Sequence, residues 1–268
     1  MAVMAGAITV LVFIFVLRES FPALQHAGIF SFFTDSSWNP KEILFNLSPM
    51  LSATLFAALG ALFIAAPMGI FAAIFCSFYA PPSIAWTYRR AIELLSGIPS
   101  VVYGFWGLTV MVPWLSEKYP PGSSLLAGIL ILSIMILPTM ALAAEASFAS
   151  FPSQYLNGAT ALGFSRIRII TSIVLPSVRP SLLAGLILQA GRALGETMAI
   201  LMVCGNIVQW PENLFSPVRT LTANMALEMA YASGNHRSAL FVSGLFLIFM
   251  VLICVSLAQH LESRHFRA

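Results

Sequence analysis

The feature that most constrains this chain is the length of its uncharged, apolar stretches. No Asp, Glu, Lys or Arg occurs between Ile43 and Tyr88. Of the 268 residues, 59% are hydrophobic and only 9% are charged, whereas a soluble domain usually has about a quarter of its residues charged. A bilayer core of about 30 Å needs about 20 apolar residues per helix, and several such stretches are present. The chain is therefore predicted to be an all-α, polytopic membrane protein.

The same composition excludes other classes of protein. A soluble enzyme would carry more charge, and a formal net charge of +3 does not indicate a nucleic-acid binder. The strands of a β-barrel would alternate in hydrophobicity instead of being continuously apolar. The cysteines, Cys76, Cys204 and Cys254, have no paired spacing, and no histidines are grouped for metal binding. Neither a disulfide framework nor a metal site is predicted.

Windows of about 20 residues predict six transmembrane helices. The second is predicted as one long helix, because its only internal breaker is Pro67 with Gly69. The predicted spans are Ala2–Leu17, Pro49–Tyr79, Leu94–Trp114, Ser124–Ala144, Ser181–Val208 and Ala239–Ala258. The predicted regions are a first helix with an external loop at 1–48, a five-helix core at 49–259 that contains a cytoplasmic loop at about 148–180, and a cytoplasmic tail at 260–268.

Six spans place both ends of the chain on one side of the membrane. The positive-inside rule favours the cytoplasm, because the short segments on that side hold most of the basic residues. These are Arg89, Arg90, Arg166, Arg168, Arg179, Arg264 and Arg267. We therefore expect both termini in the cytoplasm.

Two charges, Arg192 and Glu196, are predicted to lie near the middle of the fifth span. A charge at that depth costs about 2.5–3.5 kcal/mol even on the insertion scale, so both must face protein or water. Their spacing of four residues would place them one turn apart on one face of a helix, and Gln189 continues that stripe. Beside them, Gly191 and Gly195 allow another helix to approach closely.

Two interpretations of these charges stay open. They can neutralise each other and fix helix packing, or they can line a route for a polar or charged solute. The second arrangement suits a gate, because the arginine can hold an anion only when the carboxylate turns away. Arginine also offers an oxyanion a planar, bidentate fork that lysine cannot. The predicted pathway residues are Arg192, Glu196, Gln189 and Thr197.

The segment 148–180 is predicted to form a helix, a glycine turn and a second helix at the membrane surface. Pro152 can begin the first helix and Gly163 can make the turn that ends it. The second helix, Ser165–Val174, is predicted to stop at Pro176.

Prolines and glycines mark candidate bends inside the spans. Each can be an ordinary kink in a packed helix, or a weak point at which the helix bends during transport. The predicted hinge or kink residues are Gly97, Pro99, Pro67 and Pro138.

The order of small residues, glycine and Ile-x-Leu-Pro in segment 148–180 resembles the coupling loop of ABC importer permeases. Asn157, followed by Gly158, stands where that family often has Glu, whereas five positions fit: Ala159, Gly163, Ile173, Leu175 and Pro176. A narrower resemblance, to the C-type permease subunit of the bacterial phosphate (Pst) importer, extends over essentially the whole chain. It is carried by Gly191-Arg-Ala-Leu-Gly-Glu-Thr-Met-Ala199 and by Glu93-Leu-Leu-Ser-Gly-Ile-Pro-Ser-Val-Val-Tyr-Gly-Phe-Trp-Gly107. The basic leader common in that family does not precede the first span, so we expect either a truncated start or a short end.

The resemblance implies a MetI-like ABC transporter permease fold and a translocation subunit for inorganic phosphate in the bacterial inner membrane, which is not itself an enzyme. It implies as partners a second homologous permease subunit, two cytoplasmic ATPase subunits and an extracytoplasmic phosphate-binding protein. The only lysines, Lys41 and Lys118, do not follow glycine, so the chain has no Gly-Lys-Ser/Thr motif for ATP phosphates. No cofactor is expected on this chain, and ATP and Mg²⁺ are expected on the partner ATPase.

Two alternatives to a phosphate permease stay open: a permease for another oxyanion, and an ion-coupled transporter or channel. Another oxyanion, such as molybdate, tungstate or sulfate, is compatible with the same coupling loop, and only the Gly-Arg-Ala-Leu-Gly-Glu-Thr segment favours phosphate. An ion-coupled secondary transporter or channel would use Arg192 and Glu196 as an ion relay, but it leaves the coupling-loop pattern unexplained.

Overall fold

The structure of the protein, a computed structural model, describes the backbone of residues 2–265 and the side chains of residues 4, 6–257, 259 and 260. In this range five helices are long and apolar enough to cross a membrane. A sixth crossing is obtained if two helix pieces joined by a bend, Pro82–Ser96 and Ser100–Ser116, form one span. The prediction of a mainly helical membrane protein is confirmed, and the predicted number of six spans is reached when the bent pair is counted as one span.

The described residues form twelve α-helices and one small hairpin. The strands β1 (Trp38–Asn39) and β2 (Leu44–Phe45) pair antiparallel. Three π-helical segments, Phe75–Tyr79, Gly107–Met111 and Ile170–Val174, extend or join α-helices. The α-helices are α1 (Ala2–Thr34), α2 (Ser48–Ile74), α3 (Pro82–Ser96), α4 (Ser100–Trp106), α5 (Val112–Ser116), α6 (Leu125–Ala149), α7 (Ser153–Ala161), α8 (Arg166–Ile169), α9 (Leu175–Gly195), α10 (Met198–Val203), α11 (Leu221–Glu228) and α12 (Gly234–His265).

The chain divides into two compact units that alternate along the sequence. Within the described range, unit 1 comprises residues 2–57, 104–128 and 194–252, and unit 2 comprises residues 58–103, 129–193 and 253–265. Each unit has its own apolar core. The core of unit 1 includes Phe32, Phe45, Leu47, Met50 and Leu221, and that of unit 2 includes Ala144, Phe148, Ala159, Ile169 and Val174. The predicted division at 1–48, 49–259 and 260–268 stays a prediction.

The first helix is longer than predicted. The prediction ended it at Leu17 because two charges follow, but α1 continues to Thr34, with a positive φ of 74° at Gly28 where two helical pieces meet. The charges do not end the helix because their side chains leave its backbone intact. Arg18 is exposed, and Glu19 forms an ion pair of 3.5 Å with Arg237. Much of the predicted external loop is therefore helical.

Three other spans are found close to their predicted positions. The second is Ser48–Tyr79 and the fourth is Leu125–Ala149, and both helices continue through their prolines, Pro67 and Pro138. The last helix, α12, begins at Gly234 and continues to His265, so the predicted tail at 260–268 starts inside a helix. Residues 266–268, with Arg267, lie outside the described residues.

The third predicted span, Leu94–Trp114, is not one continuous helix, because residues 94–96 belong to α3 and the helix resumes at Ser100. The backbone turns by 90° between Pro82–Ser96 and Ser100–Ser116, at Gly97-Ile98-Pro99. Proline lacks the N–H donor of a helix and disfavours helical backbone in the residue before it, which explains the break. The hydroxyl of Tyr103 donates to the carbonyl of Leu95 at 2.9 Å and so ties the two sides of the bend together.

The fifth span differs from the prediction at both ends. Its helical backbone begins at Arg166, continues through α8 and α9, and ends at Gly195. The predicted continuation to Val208 is wrong, because the chain leaves the helix at Glu196 and Thr197 before α10 begins. The carbonyl of Glu196 accepts a hydrogen bond of 2.7 Å from the hydroxyl of Thr222. A side chain of α11 thus satisfies a backbone group at the break, as burial in a membrane protein requires.

In segment 148–180, the predicted first helix, the glycine turn and the start of the second helix are all present, but the second helix does not end where predicted. Pro152 precedes α7, and Gly163 has a positive φ of 75°. The prediction that Pro176 stops the second helix is wrong, because α9 continues through it. The π-helical segment Ile170–Val174 directly precedes the proline. Its wider turn makes room for a ring that would otherwise clash with the carbonyl four residues earlier.

Candidate functional site

Gln189 is the buried member of the predicted pathway residues. It lies on α9 in unit 2, and its Oε1 accepts a hydrogen bond of 2.8 Å from the hydroxyl of Thr139. Thr139 follows Pro138 on α6, so this contact joins α6 to α9 within unit 2. A buried amide is stable only when it is hydrogen-bonded, and the bond also fixes its orientation.

Arg192 lies in the last turn of α9, where its side chain is exposed. Among the described residues, it forms no ion pair and no hydrogen bond. The C-terminal end of a helix favours a cation, and the guanidinium carries five N–H donors in a planar fork. The exposed guanidinium is therefore able to bind an oxyanion, whereas the helix end beside it, which is the negative end of the helix dipole, does not itself favour an anion.

Glu196 lies just after the end of α9, in unit 1. Its Oε1 accepts a hydrogen bond of 3.2 Å from the N–H of Ala199 in the first turn of α10. The adjacent Thr197 donates its hydroxyl to the carbonyl of Gly195 at 3.2 Å. The prediction that Arg192 and Glu196 share one helix face is wrong, because the helix ends between them. The roles of Gln189, Arg192, Glu196 and Thr197 in a substrate pathway stay predictions.

A close backbone contact within unit 1 holds α10. Gly104 packs so tightly against it that a Cβ atom at this position would lie 2.8 Å from the Cα of Ala199 and 3.0 Å from the Sδ of Met202. Only glycine permits such an approach. Gly104 therefore helps to fix the helix whose first turn binds the Glu196 carboxylate. The sequence analysis included Gly104 only as one residue of the segment 93–107, which carries the resemblance to the phosphate importer permease.

A second group of charges in unit 1 was missed by the sequence analysis. The Oε1 of Glu228 accepts from Arg219 at 2.7 Å, and its Oε2 contacts Nε2 of His236 at 2.8 Å and accepts from Nε1 of Trp38 at 2.9 Å. The Glu228 side chain is only 9% exposed. Arg219 also donates to the backbone carbonyl of Asn206 at 2.9 Å. These residues are up to 190 positions apart, so no local pattern could have identified the cluster.

Glu228→Ala is expected to lower the free energy of unfolding by about 3–5 kcal/mol, because it leaves the charge of Arg219 unpaired in a largely buried site. Thermal unfolding of the purified protein in detergent should show a clearly lower midpoint. Glu212→Ala serves as the control, since Glu212 is exposed. Equal midpoints for the two variants would contradict a stabilising role for the cluster.

The predicted coupling residues fall into two groups. Ala159 is buried in the core of unit 2 with Ile169 and Val174, and Ile173 and Leu175 are partly buried against it. The remainder, Asn157, Gly158, Gly163 and Pro176, are exposed.

Large apolar side chains around Gly163 are exposed as well: Tyr155, Leu162, Phe164 and Ile167. A cluster of exposed apolar side chains is typical of a protein-binding surface. The segment therefore has one side in the core of unit 2 and another available to a partner.

Comparison with known proteins identifies the family. The profile of the family described as "Binding-protein-dependent transport system inner membrane component" matches residues 65–267. The chain belongs to this family. Membership agrees with the several apolar helices and identifies a multi-pass component of the inner membrane. It also agrees with the resemblance found on Gly163, Ile173, Leu175 and Pro176.

Individual members of this family are similar over most of the chain. The chain is 37% identical to "Probable ABC transporter permease protein YqgH" of Bacillus subtilis (strain 168), covering 87% of this chain and 77% of the relative. It is 33% identical to "Phosphate transport system permease protein PstC" of Mesorhizobium japonicum (strain LMG 29417 / CECT 9101 / MAFF 303099), and the match covers 97% of this chain and 88% of the relative. A solved structure described as "Inward facing conformations of the MetNI methionine ABC transporter: CY5 native crystal form" has a TM-score of 0.62 at 16% identity, covering 82% of this chain and 94% of the other. The predicted MetI-like permease fold is thereby confirmed.

Proposed function

We propose that this chain is the membrane permease subunit of an ATP-binding cassette importer for inorganic phosphate. The observation that carries the proposal is the exposed, unpaired guanidinium of Arg192 at the end of α9. It lies in a chain that is similar over 97% of its length to a phosphate transport permease. Phosphate is a tetrahedral oxyanion, and the arginine fork can bind two of its oxygens at once.

In the proposed mechanism, Arg192 binds phosphate during its passage, and the amide of Gln189 contributes polar contacts on the same helix. The carboxylate of Glu196 repels a dianion, so it discourages phosphate from resting near the first turn of α10. Together they let phosphate pass without being held tightly. Rapid passage requires binding that is strong enough to admit the ion and weak enough to release it.

Energy enters through partner chains in this proposal. Two cytoplasmic ATPase subunits hold ATP and Mg²⁺, and one of them binds the exposed apolar surface around Gly163 of this chain. A second, homologous permease subunit completes the pathway, and an extracytoplasmic phosphate-binding protein delivers the ion to the external loops. In this proposal both termini lie in the cytoplasm, as the positive-inside rule favours. Because the ATPase pair binds one membrane conformation better than the other, ATP shifts the population between inward-facing and outward-facing states.

Substrate competition tests the proposed function. The complete importer in vesicles is supplied with its binding protein, ATP and labelled phosphate, and unlabelled anions are added in excess. Unlabelled phosphate should abolish accumulation of the label, whereas molybdate, tungstate and sulfate should leave most of it. Equal or stronger competition by one of these other oxyanions would reassign the substrate.

A further inference from the structure

We propose that the ion pair between Arg89 and Glu145 is a positioning contact that carries movement of the coupling segment 148–180 to the bend at Gly97-Ile98-Pro99. This inference rests on the proposed function, in which the segment receives motion from an ATPase. All the residues that carry it belong to unit 2.

The ion pair joins two separate helices. Arg89 lies on α3 and donates through Nε to Oε1 of Glu145 on α6 at 3.0 Å, and its Nη2 donates to the same oxygen. The Glu145 side chain is 16% exposed, whereas that of Arg89 is 55% exposed. Among the side chains that the structure describes, this is the one ion pair that joins α3 to another helix. The contact is therefore placed to move α3 whenever the end of α6 moves.

Few side chains of α3 pack against other elements, so the ion pair matters more for the position of this helix. The structure records Ile92 as the buried residue of this helix. Large apolar side chains elsewhere on it are exposed: Ile84, Trp86, Leu94 and Leu95. A helix with few buried side chains can shift without disturbing a core. Its position therefore depends strongly on the contact that Arg89 makes.

On the side of the coupling segment, Glu145 adjoins the core of unit 2. Its neighbour Ala144 is buried, and Phe148 lies one turn further along α6. Both pack in one cluster with Ala159 of α7 and Ile169 of α8. Because a close-packed core transmits displacement, a shift of α7 and α8 is expected to move the end of α6 and with it the Glu145 carboxylate.

On the other side, α3 leads directly into the bend. The backbone turns by 90° there, and the hydroxyl of Tyr103 holds the carbonyl of Leu95 at 2.9 Å. The break at Pro99 interrupts the helical hydrogen bonds, so bending costs less at this point than inside a helix. A movement of α3 therefore changes the bend and the start of α4.

The matched control is a second ion pair that α3 carries within itself. Arg90 pairs with Glu93 at 2.8 Å, one turn along the same helix. It has the same residue types, but it joins α3 to no other helix. The Arg90–Glu93 pair is exposed on both sides, so its removal should cost little stability. For Arg89 and Glu145, the double variant leaves no unpaired charge in the partly buried site, so it should stay folded. A difference between the two pairs then reports on transmission and not on helix stability.

The experiment measures the number of phosphate ions transported per ATP hydrolysed by the complete importer in vesicles. Arg89→Gln, Glu145→Gln and the double variant should each lower this ratio by about three- to tenfold, the range typical of residues that couple distant sites. The double variant should be no worse than either single one, since both remove the same contact. Arg89→Lys, which keeps the charge, should recover much of the ratio.

The inference would be overturned if the ratio stayed within twofold of the unaltered importer, or if Glu93→Gln lowered it equally. A loss of phosphate uptake that is accompanied by an equal loss of ATP hydrolysis would also contradict it, because the number of phosphate ions transported per ATP would then be unchanged. The unaltered importer distinguishes the two proposals. If it transports another anion and not phosphate, the proposed substrate fails, and the ion pair is tested on the ratio for that anion.

Discussion

Arg192→Gln should reduce ATP-driven phosphate uptake to background while the protein still assembles with its partners. Glutamine cannot supply the positive charge or the two parallel donors with which the guanidinium binds an oxyanion. Hydrogen bonds to charged groups contribute about 1.5–3 kcal/mol each, so the loss of two predicts a fall of 100-fold or more. Uptake of labelled phosphate into vesicles, at matched amounts of assembled complex, measures the effect.

Two further substitutions make this test more specific, one at Arg192 itself and one at another arginine as a control. Arg192→Lys keeps the charge but loses the fork, so uptake should fall strongly without vanishing. Arg18→Gln removes another exposed arginine, on α1, and should leave uptake unchanged. Normal uptake by Arg192→Gln would remove Arg192 from the pathway.

The same account predicts that Glu196→Gln strongly reduces uptake, because without the repelling charge phosphate is held near the first turn of α10 and is released slowly. The glutamine Oε1 can still accept the hydrogen bond from the N–H of Ala199 that the carboxylate accepts at 3.2 Å. The substitution therefore removes the charge and preserves the first turn of α10. Normal uptake by this variant would limit Glu196 to a structural role in that turn.

Gly163→Val should abolish binding of the ATPase subunits while insertion into the membrane is retained. Gly163 has a φ of 75°, and no heavy atom lies within 4 Å of the position a Cβ would occupy. The effect of valine is therefore one of backbone strain, because a β-branched residue strongly disfavours positive φ. The turn between α7 and α8 must change its shape and displace the exposed apolar surface. Co-purification of the ATPase with the tagged permease measures the loss.

Asparagine provides the control for the turn, because it tolerates the left-handed conformation far better than valine. Gly163→Asn should therefore keep most of the ATPase binding. Gly6→Ala adds a side chain to α1 where there is also open space, and it should be harmless. Full co-purification with Gly163→Val would contradict the assignment of this turn to ATPase coupling.

Continuous apolar runs made part of the fold predictable. The spans that contain α2 and α6 were predicted to within a few residues at most ends, because nothing polar interrupts them. The turn at Gly163 was predictable from a local rule, since glycine is the residue that adopts positive φ without strain.

Other features depend on contacts that the sequence does not display. The continuation of α9 through Pro176 depends on the π-helical segment before it. The break after Gly195 depends on Thr222, which satisfies the carbonyl of Glu196 from 26 residues away. The Glu228 cluster and the bond from Thr139 to Gln189 likewise join distant parts of the chain. Local rules selected Arg192 and Glu196 as pathway residues, which stays a prediction, but they wrongly placed both on one helix.

The most direct test of the central claim is to measure what drives phosphate across the membrane. Vesicles containing the complete importer and its binding protein are given ATP on the cytoplasmic side, with or without an ionophore that collapses the membrane potential. We predict that phosphate accumulates only with hydrolysable ATP and that the ionophore leaves the rate unchanged. Accumulation without any ATPase, abolished by the ionophore, would contradict the account and indicate an ion-coupled transporter.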